Sequence, residues 1–252
     1  MTGNYPQYSY PGGMVAGLAF DFLFRRAHSF REDGLACMGR LNPGLRVFGT
    51  ETVPQNGPCI LTFNHYYRPG FNAWWIALAL AATIPGDIHF TMTGELTFPG
   101  KWYAPLGKAG SRWLLKRFSH IYGFTTMPPM PPRPQDIPAR ARSVRRVLAF
   151  ARSHPQAILG LAPEGGDQPG GLLNWPPAGA GRFILLLAEQ GFPLQPVGCF
   201  EETGAFCLHF GKAYQLQVPA NLSPDQKDHH VARIVMSGIA AQLPGRLRGS
   251  FG

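Results

Sequence analysis

The chain has 252 residues, 45% of them hydrophobic and only 15% charged, with a formal net charge of +9. That length and apolar content point to one large globular unit with ample material for a core, and to turns rather than wholesale disorder. The basic balance favours anionic partners such as lipid head groups or cofactor phosphates, while the lack of any helix-turn-helix, zinc-finger or aromatic RNA-binding signature disfavours nucleic acid.

In chain order, the first dozen residues read as a flexible arm. Residues 14–40 follow as a basic amphipathic helix, with Phe20, Phe24, Leu35 and Met38 apolar and Arg25, Arg26 and Arg31 basic. Such a helix can lie in a lipid interface or pack on its own domain. Its apolar part, 14–24, is interrupted by Asp21 and falls short of the roughly 20 residues a bilayer span requires. The start of the chain lacks the basic and apolar regions of a secretory signal. The expected location is therefore cytoplasmic, peripheral on the inner face of a membrane.

Strands are expected over 45–52 and 59–63, separated by a proline-bounded turn. A buried helix over 71–83, a strand over 88–93, a helix with a basic face over 106–118 and a strand over 120–127 come next. The proline-rich run 128–138 cannot be a regular element and reads as a stiff surface loop. A helix over 139–153 has Val144, Val147, Leu148 and Ala151 on one side and Arg140, Arg142, Arg145, Arg146 and Arg152 on the other. A strand over 157–161, a helix over 180–190 and strands over 194–200 and 206–218 precede a last helix starting at Ser223-Pro224-Asp225-Gln226. This alternation predicts an α/β architecture, a mostly parallel mixed sheet of about seven strands flanked by helices. The division is an N-terminal arm and helix over 1–44, then an α/β domain over 45–252.

The four cysteines, Cys37, Cys59, Cys199 and Cys207, show no Cys-x-x-Cys spacing and read as reduced core residues. His229 and His230 follow Asp228, but adjacent helix residues point in different directions, so no metal site is expected.

The chemistry concentrates in residues 59–75, CILTFNHYYRPGFNAWW. An apolar strand runs into Asn64-His65, so the imidazole sits where a sheet presents side chains to a ligand crevice. The lead-in 47–54, Gly57-Pro58 and Asn64-His65, then Ala162-Pro163-Glu164-Gly165-Gly166, Gly181-Arg182 with 192–198, and Gly211-Lys212-Ala213 occur in an order that resembles the glycerolipid acyltransferase family typified by 1-acylglycerol-3-phosphate acyltransferases. The resemblance covers roughly 45–218. It implies a glycerol-3-phosphate acyltransferase-like fold and acyl transfer from an acyl-CoA or acyl carrier protein thioester to a lipid hydroxyl, with no bound cofactor.

On that resemblance His65 is the general base, since a neutral imidazole can take the proton of an attacking hydroxyl. Gly165 and Gly166 would bring backbone N–H groups to a developing oxyanion. Glu164 would orient the acceptor or the loop; Asn64, Asn72 and Pro163 complete the substrate side, with Arg68, Lys108, Arg112 and Arg182 available for phosphates. The alternative is a non-catalytic lipid- or acyl-binding homologue. Three departures from the family pattern bear on the choice. Gly70 stands where N-H-x-x-x-x-D has its aspartate, and no carboxylate follows until Asp87. Asp167 stands where the Pro-Glu-Gly block continues to a basic residue, and 121–127 lacks the phosphate-binding arginine. Asp167 is the candidate replacement for the missing partner of His65. Chain length, carrier, acceptor and oligomeric state are not encoded in these motifs.

Overall fold

In the computed structural model, which describes residues 5–98 and 100–252, the apolar runs become the middle of one sheet. β1 (Arg46–Phe48), β2 (Cys59–Phe63), β3 (Ile88–Thr93), β4 (Thr125–Met127), β5 (Ile158–Leu161), β6 (Leu194–Glu202) and β7 (Ala205–Phe210) lie in the order β1-β7-β6-β2-β5-β3-β4. Every pair is parallel except β6 with β7. β2 is buried along its whole length, as a strand covered on both faces must be. In register, Ile60 lies beside Leu159 of β5 and Leu194 of β6.

The helices are α1 (Gly12–Phe24), α2 (Phe30–Met38), α3 (Trp74–Thr83), α4 (Ala104–Ile121), α5 (Ile137–Ser153), α6 (Ala180–Ala188) and α7 (Pro224–Ala240). The period-two alternation of β3 sends its side chains to two layers. Phe90 meets Phe30, Phe63 and Phe124 on the face covered by α2. His89 turns the other way, stacking on Phe150 of α5 at 3.8 Å. Gly160 permits this packing, because a Cβ there would come within 2.4 Å of the Phe90 ring. Crossovers return each parallel strand in the same direction, so the loops after β2, β3, β4 and β5 gather at one end of the sheet.

The structure departs from the expected elements in several places. The strand expected over 45–52 ends at Phe48 and is followed by a 3₁₀ turn over Thr50–Thr52, and the proline-rich run holds a 3₁₀ turn over Pro134–Asp136 and the start of α5 at Ile137. The helix expected over 14–40 is two helices: Arg25 adopts a left-handed φ of 57° after α1, and Ser29 caps α2 by accepting the Glu32 N–H. His28, between them, reaches Asp21 of α1 at 2.7 Å and Asp33 of α2 at 3.0 Å, which fixes the corner. The arm is docked where it is described: Gln7 pairs with Asn42, and Tyr8 packs on Phe71, Trp75 and Phe206. Residues 1–4 of that arm lie outside the described residues. The strand expected over 120–127 begins only at Thr125, because α4 runs on to Ile121 and Gly123 at φ 70° ends it. β7 stops at Phe210, after which Tyr214 folds back to bridge Leu194.

All four cysteines are buried and unpaired. Among the described residues, no helix is long and apolar enough to cross a membrane, and no group of three His, Cys, Asp or Glu could hold a metal ion.

Candidate active site

The site begins one residue past the end of β2. Asn64 is buried and bridges to β6, its side-chain amide donating to Cys199 O at 2.8 Å and its Oδ1 accepting the Cys199 N–H at 2.7 Å. This double bond carries the sheet's pairing past the last strand residue, so Asn64 acts on the backbone and not on a ligand. Asn64 thereby sets where His65 emerges.

A second clamp holds the same residue from the other side. Glu164, 3% exposed, accepts the His65 N–H at 2.8 Å through Oε2 and the Asn174 N–H at 2.9 Å through Oε1. Both carboxylate oxygens are thus engaged by backbone, and Glu164 orients the loop, not the acceptor. Burial pushes its carboxyl up to about 7, against the opposing pull of the hydrogen bonds from His65 and Asn174. Pro163 is buried just before it.

The loop that carries Glu164 then delivers Asp167 to the imidazole. Its Oδ1 lies 2.9 Å from His65 Nδ1, with the His65 side chain 21% and the Asp167 side chain 53% exposed. The approach is an ion-pair distance, but the carboxylate stands off the Nδ1–H direction, and Nδ1 is buried without an aligned hydrogen bond. The side chain is thus partly exposed although Nδ1 is not. Gly70 lies out of this contact, exposed at φ +80° beside Arg68.

The donors expected of the two glycines are halved. The Gly165 N–H is already given to Ala162 O at 3.0 Å in the turn that shapes the corner, which leaves the Gly166 N–H as the one of the pair without a partner among the described residues. Gly165 is required for another reason. Its φ is +72°, and a Cβ would come within 2.9 Å of Met130 Cγ, so glycine lets the proline-rich loop close over the corner.

Of the arginines expected to meet phosphates, Arg68 and Arg112 are engaged elsewhere, while the Arg182 side chain has no partner among the described residues. Arg68 forks onto Glu201, donating to its Oε1 at 2.8 Å through Nη2 and also pairing through Nε, and its guanidinium lies 3.9 Å from the centre of the Tyr5 ring. Tyr8 and Tyr66 hydroxyls donate to the same carboxylate at 2.7 and 3.1 Å. Burial and Glu201 hold both phenols well above their usual range. Arg112 lies 3.1 Å from Glu95, which Arg133 also reaches at 3.2 Å. Arg182 is exposed on the first turn of α6, where Asp228 accepts the Gly179 and Arg182 backbone N–H groups at 2.7 Å each. Lys108 is half-buried on α4 without an ion-pair partner among the described residues. Asn72 is exposed, its Oδ1 accepting the Trp74 N–H at the start of α3.

Sequence reasoning missed Glu201, Glu95, Asn174 and Met130. The signal for Glu201 was present: a carboxylate continuing the apolar run of β6 has to be paired if it is buried. A separate cleft of about 420 Å³, lined by His28, Phe30, His89, Tyr122, Phe124 and Phe150, opens among residues at the opposite, amino-terminal ends of the strands.

No protein-family model matches this sequence, and no curated protein matches it at the sequence level. Among solved structures it is similar to the 1-acyl-sn-glycerophosphate (LPA) acyltransferase PlsC from Thermotoga maritima, at 14% identity and a TM-score of 0.52, over 84% of this chain and 77% of that one. The seven-stranded, mostly parallel mixed sheet flanked by helices is thus an acyltransferase-like α/β fold.

Proposed function

We propose that this chain transfers a fatty acyl group from a thioester, carried on coenzyme A or on acyl carrier protein, to a lipid hydroxyl at the cytoplasmic surface of a membrane. The observation that carries the reading is His65 at the carboxyl end of β2, held by Glu164 and facing Asp167 at 2.9 Å. The acceptor hydroxyl gives its proton to His65 Nε2 as its oxygen attacks the thioester carbonyl. Collapse of the tetrahedral intermediate breaks the C–S bond, and the departing thiolate takes the proton from the imidazolium. One ester forms, one thioester breaks, and no cofactor is consumed. Asp167 at Nδ1 favours the tautomer with Nε2 unprotonated and offsets the imidazolium charge.

Asp167→Asn tests that role. A buried partner of this kind is worth about 10⁴ in rate; Asp167 is half exposed and off-line, so a loss of about tenfold to several hundredfold is expected. Unchanged turnover would remove Asp167 from the mechanism.

The competing reading, a lipid or acyl binder that kept this fold, draws on Gly70 and on the unaligned Nδ1 contact. Turnover separates the two.

Support for a membrane surface comes from α1 and its neighbour α4. α1 buries no residue and exposes Phe20, Leu23 and Phe24 beside Arg25 and Arg26, while α4 exposes Leu106 and Trp113. Apolar side chains ringed by cations suit an anionic lipid interface. Leu23→Asp is expected to weaken sedimentation with anionic vesicles roughly tenfold or more, since burial of one leucine is worth about 1.5–3 kcal/mol. Undiminished sedimentation would place the membrane contact elsewhere.

A further inference from the structure

Resting on the acyl-transfer reading, we infer that the acceptor is an uncharged lipid alcohol and not a phosphate ester. The inference is carried by the charges around the crevice, each of which comes from a loop or helix at the carboxyl end of the strands. After β2 comes Arg68, already forked onto Glu201 at the end of β6. After β3 comes Glu95, which takes both Arg112 of α4 and Arg133 of the proline-rich loop. Arg133 has a second carboxylate at Asp136. Arg68, Arg112 and Arg133 are thus each committed to a carboxylate and Arg140 to the Pro128 and Pro129 carbonyls, while Asp167, beside His65, has no guanidinium partner among the described residues.

A phosphate needs the reverse. It is held by guanidinium forks or by clustered backbone N–H groups whose charge is unspent. Here Glu201 is buried, and it receives two tyrosine hydroxyls as well as Arg68. Drawing Arg68 away would leave that carboxylate buried without its counter-charge. The start of α6, behind the Pro-Glu-Gly loop, already has the Asp228 carboxylate on its N–H groups, and Arg182 on that turn is a single exposed guanidinium with no side-chain partner among the described residues. Lys108 is a single ammonium, without the fork geometry that fixes a phosphate. A hydroxyl on a neutral glyceride or sugar head group meets no such conflict: it needs His65 as proton acceptor and tolerates Asp167 as a hydrogen-bond acceptor.

The test is acyl transfer from a radiolabelled acyl thioester to paired acceptors that differ only in the phosphate. The pairs are monooleoylglycerol with its phosphate ester, and a monoglycosyl diacylglycerol with its phosphorylated counterpart, each dispersed in the same detergent. The expected result is a kcat/KM at least about tenfold higher for an uncharged member than for its phosphate ester. A ratio near one, or a preference for the phosphate esters, overturns the inference and leaves acyl transfer standing. Failure of every acceptor to take label while the thioester stays intact overturns both.

Discussion

Glu164→Gln is expected to lower acyl transfer by about tenfold to a hundredfold and folding stability by about 1–3 kcal/mol. The native carboxylate accepts one backbone N–H on each oxygen, from His65 and from Asn174. Glutamine retains one acceptor and turns an NH₂ group against the other donor, so one buried N–H loses its partner whichever way the amide is placed. Losing the His65 contact frees the residue that positions the base; losing the Asn174 contact loosens the loop that carries Asp167. Both routes move the two reacting side chains apart, which is why the expected loss in rate exceeds that of an ordinary buried polar substitution.

The same carboxyl makes stability depend on pH. Burial raises it from 4.5 to about 7 in the folded chain, so between those values the folded state binds a proton that the unfolded state has released. The sign is then fixed: this group's contribution is fully present below about 4.5, declines as pH rises, and is lost above about 7. Denaturant titrations of the parent chain across that window should show the decline, and Glu164→Gln should flatten it. A parent curve that rises through the window would contradict the burial argument.

His65→Ala is expected to cut turnover by about 10²–10⁴, the range over which a positioned base accelerates proton transfer. The fold should tolerate it. The contact that organises the loop is made by the His65 backbone N–H, which alanine retains, and the side chain is 21% exposed with Nδ1 in no aligned hydrogen bond. A change in stability within about 1 kcal/mol is expected. That separation of activity from stability distinguishes a base from a packing histidine, and circular dichroism melts of the two proteins measure it alongside the rates.

Much of this architecture was legible because it is periodic. The all-buried β2 and the apolar side of α7 are patterns of residue type, and they predicted their elements. The missed break between α1 and α2 was half visible: Ser29 three residues before Glu32 is a cap signature. The left-handed Arg25 was not, because nothing in an arginine marks a positive φ. For the site, the motif residues located the imidazole and the corner, and the adjacency of β2 and β5 brought Asp167 to His65. What each polar residue is bonded to depended on partners far along the chain. Arg68 and Glu201 are 133 positions apart, as are Asn64 and Cys199 by 135, and no local pattern encodes such pairs. This is why residues expected to face substrate, Asn64, Arg68 and Glu164 among them, were found engaged with the protein itself.

On the reading proposed above, this crevice moves an acyl group and does not merely hold one. The most direct measurement follows a radiolabelled acyl thioester incubated with the parent chain and a detergent-dispersed total lipid extract. Label appearing in an ester-linked lipid, dependent on added extract and lost in His65→Ala, is the expected result. Label retained in intact thioester bound to the protein, or released as free fatty acid with or without extract, would contradict it.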